Sequence, residues 1–247
     1  MKAMILAAGL GTRLKPFTDH HPKALAVVNG KSLLQRNIEY LMSYGITEII
    51  VNVHHFADQI IKAIQDNKGW GAQITISNET DEVLETGGGL LRAAQYFEGE
   101  SKWLVMNADI LTDLNLHNLI AADEAYAIKA EGDLVATLAV TNRTSSRNLI
   151  FNQAGTLCGW KNNNTGEAKW ALPLRDSNTA MPKAFSGIQI VHAAFLEAVA
   201  LKGKFSLIDA YLQLAEHYAI HFYDHSDAIL LDVGKPESLE IAATIFK

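Results

Sequence analysis

An α/β fold, with a mostly parallel central sheet and helices on both faces, is what the first half of this 247-residue chain predicts. Three observations carry that expectation. Short apolar runs and amphipathic segments alternate in the order β-α-β-α-β-α-β, which favours parallel strands joined by helical crossovers. A glycine turn, Gly9-Leu10-Gly11, follows the first apolar run at once. Polar residues, Asn52, His54 and Asp109 among them, fall just past the ends of apolar runs, where open α/β sheets bind ligands.

The elements follow in order. Ala3–Ala7 is an apolar strand that meets the glycine turn directly, which a signal peptide would not do. Ser32–Tyr44 repeats Leu33, Leu34, Ile38, Leu41 and Met42 at helical spacing, and Gly45 closes that helix. Glu48–Val53 reads as a buried strand and Phe56–Gln65 as a helix with Ile60, Ile61 and Ile64 inward. Gln73–Ser77 is a strand, Gly87–Tyr96 a helix, and Trp103–Met106 a strand that ends at Asn107-Ala108-Asp109. The second half adds strands at Asp133–Thr141, Asn148–Asn152, Phe185–Val191 and Ala219–Phe222. Helices are expected at Ala193–Lys202, Ser206–Glu216 and Pro236–Phe246. The polar stretch Lys161–Lys169 reads as a hairpin tip or loop. With no repeat and no low-complexity linker, one domain of two unequal lobes is the simplest organisation.

Composition narrows the function. A content of 49% hydrophobic and 19% charged residues is that of an ordinary globular protein. The net charge of −6 argues against a nucleic-acid binder, which would carry a basic surplus. No apolar stretch approaches the roughly 20 residues a membrane span needs, so no membrane partner is expected. Cys158 is the only cysteine, which rules out an intrachain disulfide and fits a reducing cytoplasm. Without a matching histidine motif it reads as a small half-buried residue rather than a nucleophile.

The chemistry concentrates near the N-terminus. In Leu6-Ala7-Ala8-Gly9-Leu10-Gly11-Thr12-Arg13, glycines let backbone N–H groups approach a polyphosphate. Arg13 can fork two phosphate oxygens, and Lys23, after Pro22, adds a compact charge. The loop is not the dinucleotide fingerprint, because Leu14 stands where a third glycine is required, and Gly30-Lys31-Ser32 is not a P-loop, because its first glycine would fall on Leu25.

Glycine, any residue, glycine, Thr, Arg, then Pro16, Thr18 and Pro22-Lys23 match the signature of the sugar-1-phosphate nucleotidyltransferases, and the chain resembles that family over nearly its whole length. A second string, Leu84-Glu85-Thr86-Gly87-Gly88-Gly89, could lay backbone groups against a nucleobase edge, or simply form a tight loop before a helix. It is similar to the base-contacting run of the N-acetylmuramate-1-phosphate uridylyltransferases, as are Phe185-Ser186-Gly187-Ile188 and Asp232-Val233-Gly234. The resemblance implies the Rossmann-like nucleotide-diphospho-sugar transferase fold, with a nucleotide-binding lobe over 1–112 and a sugar-binding lobe over 113–247. No hexapeptide period occurs, so the β-helix appended to some members is not expected in this sequence.

The resemblance further implies transfer of a nucleoside monophosphate from a nucleoside triphosphate to a sugar 1-phosphate, with pyrophosphate leaving and Mg²⁺ required. Arg13 would hold the β- and γ-phosphates, Lys23 the α-phosphate and the sugar phosphate, and Asp109 and Asp232 the metal. Ala8, Gly9, Gly11, Thr12, Glu85, Thr86, Gly87, Gly88 and Asn107 would contact the nucleotide; Asn107, Asn148 and Gly187 would contact the sugar. No general base is needed, because a sugar phosphate is already ionised at neutral pH. An aspartate at a strand end is in general an N-cap; two of them at matching family positions read as metal ligands. The family has Gly-Asp where this chain has Ala108-Asp109, and it often has Glu-Lys-Pro near Gly159-Trp160-Lys161-Asn162.

UTP and N-acetylmuramate 1-phosphate are the best-matched substrates, in a monomer or homodimer. Guanylyl transfer to mannose or heptose 1-phosphate, or a non-catalytic nucleotide-sugar sensor, remain alternatives. A glycosyltransferase would show Asp-x-Asp, and Asp109-Ile110-Leu111 lacks it. His217, His221 and His225 recur every four residues, but a strand over Ala219–Phe222 would scatter them. His54-His55 could reach a base or ribose, His20-His21 reads as loop, and Trp160 and Trp170 are core or a sugar-stacking platform.

Overall fold

A computed structural model describes residues 1–172 and 179–247. In chain order the elements are β1 (Ala3–Leu6), β2 (Val27–Val28), β3 (Lys31–Ser32), α1 (Leu33–Ser43), β4 (Glu48–Val53), α2 (Ala57–Asp66), β5 (Gln73–Asn78) and α3 (Glu85–Arg92). There follow β6 (Lys102–Asn107), β7 (Ile110–Thr112), α4 (Leu116–Lys129), β8 (Leu134–Thr141), β9 (Arg147–Phe151), β10 (Leu157–Asn162), β11 (Ala168–Trp170) and β12 (Met181–His192). The chain continues through α5 (Ala193–Ala198), α6 (Leu207–Leu214), β13 (Ala219–Asp224), β14 (Leu230–Asp232) and α7 (Pro236–Ile245).

One sheet runs β11-β10-β9-β12-β6-β1-β4-β5, with β8 beside β12 and β13 beside β8. The central strands β6, β1, β4 and β5 are parallel, so Leu6, Asn52 and Asn107 reach one edge together. β12 pairs antiparallel with β6, β8 and β9, and β13 then adds to β8 in parallel. Alternate side chains of β1 face opposite layers. Ala3 and Ile5 pack with Ile38, Leu41, Ile60 and Leu119 of α1, α2 and α4, whereas Met4 packs with Leu90, Phe195 and Tyr211 of α3, α5 and α6. A third cluster joins Leu14, Val28, Leu111, Val233 and Ala242, which seats α7 and β14 against the N-terminal loop.

Local chemistry sets the element ends. The Ser32 hydroxyl accepts from Gln35 N–H and the Ser206 hydroxyl from Asp209 N–H, so α1 and α6 begin one residue later than the periodicity suggests. Gly45, at φ 77°, ends the α1 segment as expected. Two helices differ more. α3 starts at Glu85, so the three glycines lie inside its first turns, and it stops at Arg92 before a separate 3₁₀ turn. α5 ends at Ala198, because Val199 is extended. Lys161–Lys169 spans the turn between β10 and β11, a hairpin tip. Cys158 is buried and free, and burial pushes its thiol pKa up. Among the described residues, no helix is long and apolar enough to cross a membrane.

Candidate active site

A cavity of about 540 Å³ opens at the carboxyl edge of the parallel strands. Its first wall is the loop after β1, from Ala7 to Thr12, with Lys23 behind it. Gly11 has φ 63°, and a Cβ there would lie 2.9 Å from both Lys23 Cβ and Thr18 Cγ2. Glycine is required twice over, by backbone conformation and by space. The loop is pinned at its root: Asn52 Oδ1 accepts from Ala7 N–H at 2.7 Å, and Asn52 Nδ2 donates to Glu79 Oε1 at 2.8 Å. Asn52 and Glu79 are both buried. Burial pushes the Glu79 carboxyl above its ordinary value, against the opposing pull of the Asn52 hydrogen bond. A His54 ring nitrogen meets the Glu79 carbonyl at 2.6 Å, so that nitrogen carries the proton and donates. Leu84, Glu85 and Thr86 form the opposite wall, and Lys204 and Ser206 reach in from the α5–α6 connection.

Charge gathers at one end. Lys23 Nζ is ion-paired with Asp109 Oδ2 and lies 4.0 Å from Asp232 Oδ1, while Arg13 stands 3.6 Å from Asp232 Oδ2. The pairing of β14 with β7 puts Asp232 opposite Ile110, and Val233 N–H donates to the Asp109 carbonyl at 2.8 Å. Two aspartates far apart in sequence thereby share one lysine. Asp232 Oδ1 is shielded from solvent and makes no hydrogen bond. Its neighbour Gly234 leaves no room for a side chain, since a Cβ would lie 2.7 Å from that oxygen and 2.8 Å from the Arg13 guanidinium. Two carboxylates with an underbonded oxygen fit a hard divalent cation that takes its other ligands from phosphates and water. No group of three or more His, Cys, Asp or Glu suited to a metal occurs among the described residues, so protein donors alone would not complete a shell.

Of the residues singled out from sequence, Ala8, Gly9, Gly11, Thr12, Lys23, Glu85, Thr86, Asn107 and Asp109 line the cavity. Arg13 and Asp232 stand at its charged end, joined to Lys23 through the ion pairs. Gly87 and Gly88 do not line it. They pack under the α5–α6 connection, where Gly87 N–H donates to the Phe205 carbonyl at 2.9 Å and a Cβ on Gly88 would lie 2.1 Å from the Gly203 carbonyl oxygen. Their smallness serves close backbone packing, which the sequence does not separate from base contact. Asn148 sits on β9, hydrogen-bonded to Asn163 and off the cavity wall. Gly187, at φ 72°, backs onto Asn107, with a Cβ position 2.7 Å from its Nδ2. Trp170 is exposed on the edge strand β11, and His221 stacks on Tyr126 at 4.3 Å, apart from any metal cluster. Lys204, 3.6 Å from Glu85, and the buried Glu79 carry no local motif, and nothing in the sequence marks them.

Fold and site together define an α/β protein with a glycine loop, two cations and two carboxylates gathered at the carboxyl edge of its parallel strands. Residues 2–148 match the family profile described as nucleotidyl transferase. Among curated relatives, the N-acetylmuramate alpha-1-phosphate uridylyltransferase of Caulobacter vibrioides is 31% identical over 215 residues, covering 86% of this chain and 84% of the relative. That of Neisseria meningitidis is 43% identical over 115 residues, covering 47% and 49%. A mannose-1-phosphate guanyltransferase of Gibberella zeae is 25% identical over 245 residues, covering 96% and 62%. The solved structure of HddC from Yersinia pseudotuberculosis complexed with GMP-PN shares the fold, at a TM-score of 0.76 and 24% identity over 100% of this chain and 99% of that one. The chain belongs to the nucleotidyl transferase family and is a sugar-1-phosphate nucleotidyltransferase.

Proposed function

We propose that the chain transfers a uridylyl group from UTP to N-acetylmuramate 1-phosphate, releasing pyrophosphate, with Mg²⁺ as cofactor. The observation that carries the reaction is the charge cluster of Arg13, Asp232, Lys23 and Asp109 beside the glycine loop. The substrate pair rests on the names of the two uridylyltransferase relatives.

The residues divide the work. Loop amides from Ala8 to Thr12 and the Arg13 fork take the β- and γ-phosphates, where charge builds on the leaving pyrophosphate. Lys23 moves from Asp109 to the α-phosphate and the incoming sugar phosphate, holding the two reactants in line. Without substrate its Asp109 ion pair keeps the ammonium extended into the site. Asp109 and Asp232 would hold Mg²⁺, which when bound neutralises phosphate oxygens. Asn107, beside Gly187, supports the acceptor side. Glu85 and Thr86 flank the base.

Four nucleoside triphosphates assayed against a panel of sugar 1-phosphates, read by pyrophosphate release, test the assignment. UTP with N-acetylmuramate 1-phosphate should be the fastest pair. Efficient turnover of GTP with mannose or heptose 1-phosphate, and little of UTP, would overturn the substrates and leave the reaction class standing.

A further inference from the structure

Beneath the acceptor side of the cavity lies a buried polar pair that the reaction above does not use. His225 follows β13, and its Nε2 lies 2.7 Å from the hydroxyl of Ser186 in β12. Ser186 is fully buried and His225 is 1% exposed. The other ring nitrogen, Nδ1, is buried without a partner. Whichever of the two groups donates, this is the one hydrogen bond the ring makes, and Nδ1 is left without a partner. Burial holds the ring neutral by pushing its pKa down. A neutral, half-satisfied imidazole deep in a core is costly unless its one hydrogen bond matters.

That bond holds an irregular stretch of strand. The pairing of β12 with β8 shifts register between Phe185 and Gln189, around Ser186 and Gly187. Just past the shift, Ile188 pairs with Met106, one residue before Asn107. Gly187 then turns through φ 72° and leaves its Cβ position 2.7 Å from Asn107 Nδ2 and 3.2 Å from Ile110 Cγ1. Asn107 and Asp109 line the cavity on the side of β6, while Asn52, His54 and Glu79 line it on the side of β4 and β5. The glycine loop after β1 separates the two flanks, and with Asn107 assigned to the acceptor as above, the Gly187 flank is the acceptor side.

We propose that His225 and Ser186 are positioning residues for the sugar 1-phosphate. Their hydrogen bond fixes the β12 bulge, the bulge sets Gly187 against Asn107, and Asn107 presents the acceptor to Lys23. Neither residue touches substrate. The inference rests on the assignment of Asn107 to the acceptor side made above.

Ser186→Ala, His225→Leu, His225→Gln and the Ser186→Ala/His225→Leu double variant test it, assayed with the triphosphate and sugar 1-phosphate that the wild type turns over fastest. A wild type that prefers another pair revises the substrates, whereas the ratios of variant to wild type judge the pair whichever substrates are used. Ser186→Ala and His225→Leu should each raise KM for the sugar 1-phosphate roughly tenfold, because sub-ångström misplacement of a bound reactant carries penalties of that order or larger. KM for the triphosphate should stay within about twofold, since the loop and base walls are untouched. The double variant should be no worse than either single one, as expected for two ends of one interaction. His225→Gln, whose amide can donate to or accept from Ser186, should recover most of the loss. Unchanged KM for the sugar 1-phosphate in Ser186→Ala would overturn the proposal. So would equal rises in both KM values with a lowered melting temperature, which is what a purely structural pair would give.

Discussion

Lys23 is the residue on which the site turns, because among the described residues it alone is ion-paired with both carboxylates, and it stands behind the glycine loop. Lys23→Ala should lower kcat by about 100-fold or more, the usual cost of deleting one transition-state donor, with little change in melting temperature. Steady-state rates and a thermal melt on the same sample check both halves; normal turnover would remove Lys23 from the phosphate site. Asp109→Asn and Asp232→Asn keep shape but remove the charge a hard cation requires. Each should abolish Mg²⁺-dependent turnover while the protein stays folded, and titrating Mg²⁺ against rate reads this directly. Near-native activity in either variant would make that carboxylate a hydrogen-bond acceptor instead. These residues were legible because each sits in a short string with its own chemistry. Glu79, Lys204 and the pinning role of Asn52 were harder, since their meaning lies in contacts across 27 to 119 residues of chain, such as Asn52 to Glu79 or Lys204 to Glu85. A lone Glu in Asn78-Glu79-Thr80 says nothing of the amide it will meet.

Among the elements, α3 shows how one composition supports two readings. Glycines at a helix start suit close approach to a base, and they suit equally close approach to another backbone. Gly87 and Gly88 do the second, under Phe205 and Gly203. Gly88→Val would force a side chain into a carbonyl oxygen, which cannot yield as a flexible chain end would. The expected result is a loss of stability of about 2 kcal/mol or more, from overpacking against fixed backbone. Chemical denaturation measures it, and a full-stability variant with only a weakened triphosphate KM would return Gly88 to the base wall. α4 was missing from the sequence reading for a related reason. Of its 14 residues only Leu116, Leu119 and Asp123 are buried, while Ile128 is 80% exposed. So narrow an apolar stripe, diluted by alanine, has little helical period to detect. The central strands β4, β6 and β8 were easier, because they are covered on both faces and apolar almost throughout, whereas β7, β10, β11 and β14 have no such run and were not expected.

Across the molecule, the sheet is open at one edge and pinned at the other. The carboxyl ends of β1, β4 and β6 carry the cavity, whereas at the other end of β6 Asp123 of α4 ties that strand to β8 and β12. Its carboxylate, 0% exposed, accepts from Lys102 Nζ at 2.9 Å, from the Thr137 hydroxyl at 2.8 Å and from His192 Nε2 at 2.8 Å. Those partners belong to β6, β8 and β12, the strands where parallel pairing gives way to antiparallel. The β-α-β alternation of the first half foretold the parallel part; the long antiparallel β12 between the halves has no local signal, since pairing direction is set by connections and not by strand composition. Burial alone would raise the Asp123 carboxyl, but the hydrogen bond and charge of His192, with the Lys102 and Thr137 hydrogen bonds, outweigh it and hold it below its ordinary value of 3.8. A depressed folded pKa means the clamp contributes fully above that ordinary value and is lost as pH falls through the lower folded one. Asp123→Ala should therefore cost about 3–5 kcal/mol at neutral pH, because it strands the partly buried Lys102 ammonium and leaves the buried Thr137 hydroxyl and the His192 ring without their partner. The loss should shrink as pH drops below 4, where the wild type surrenders the same contribution. Both KM values should hold in the folded fraction, since the clamp and the cavity lie at opposite ends of β6. Denaturant midpoints across pH 3 to 7, with KM measured at pH 7, decide the matter: a pH-independent difference between the two proteins would show that Asp123 acts through packing and not through its charge.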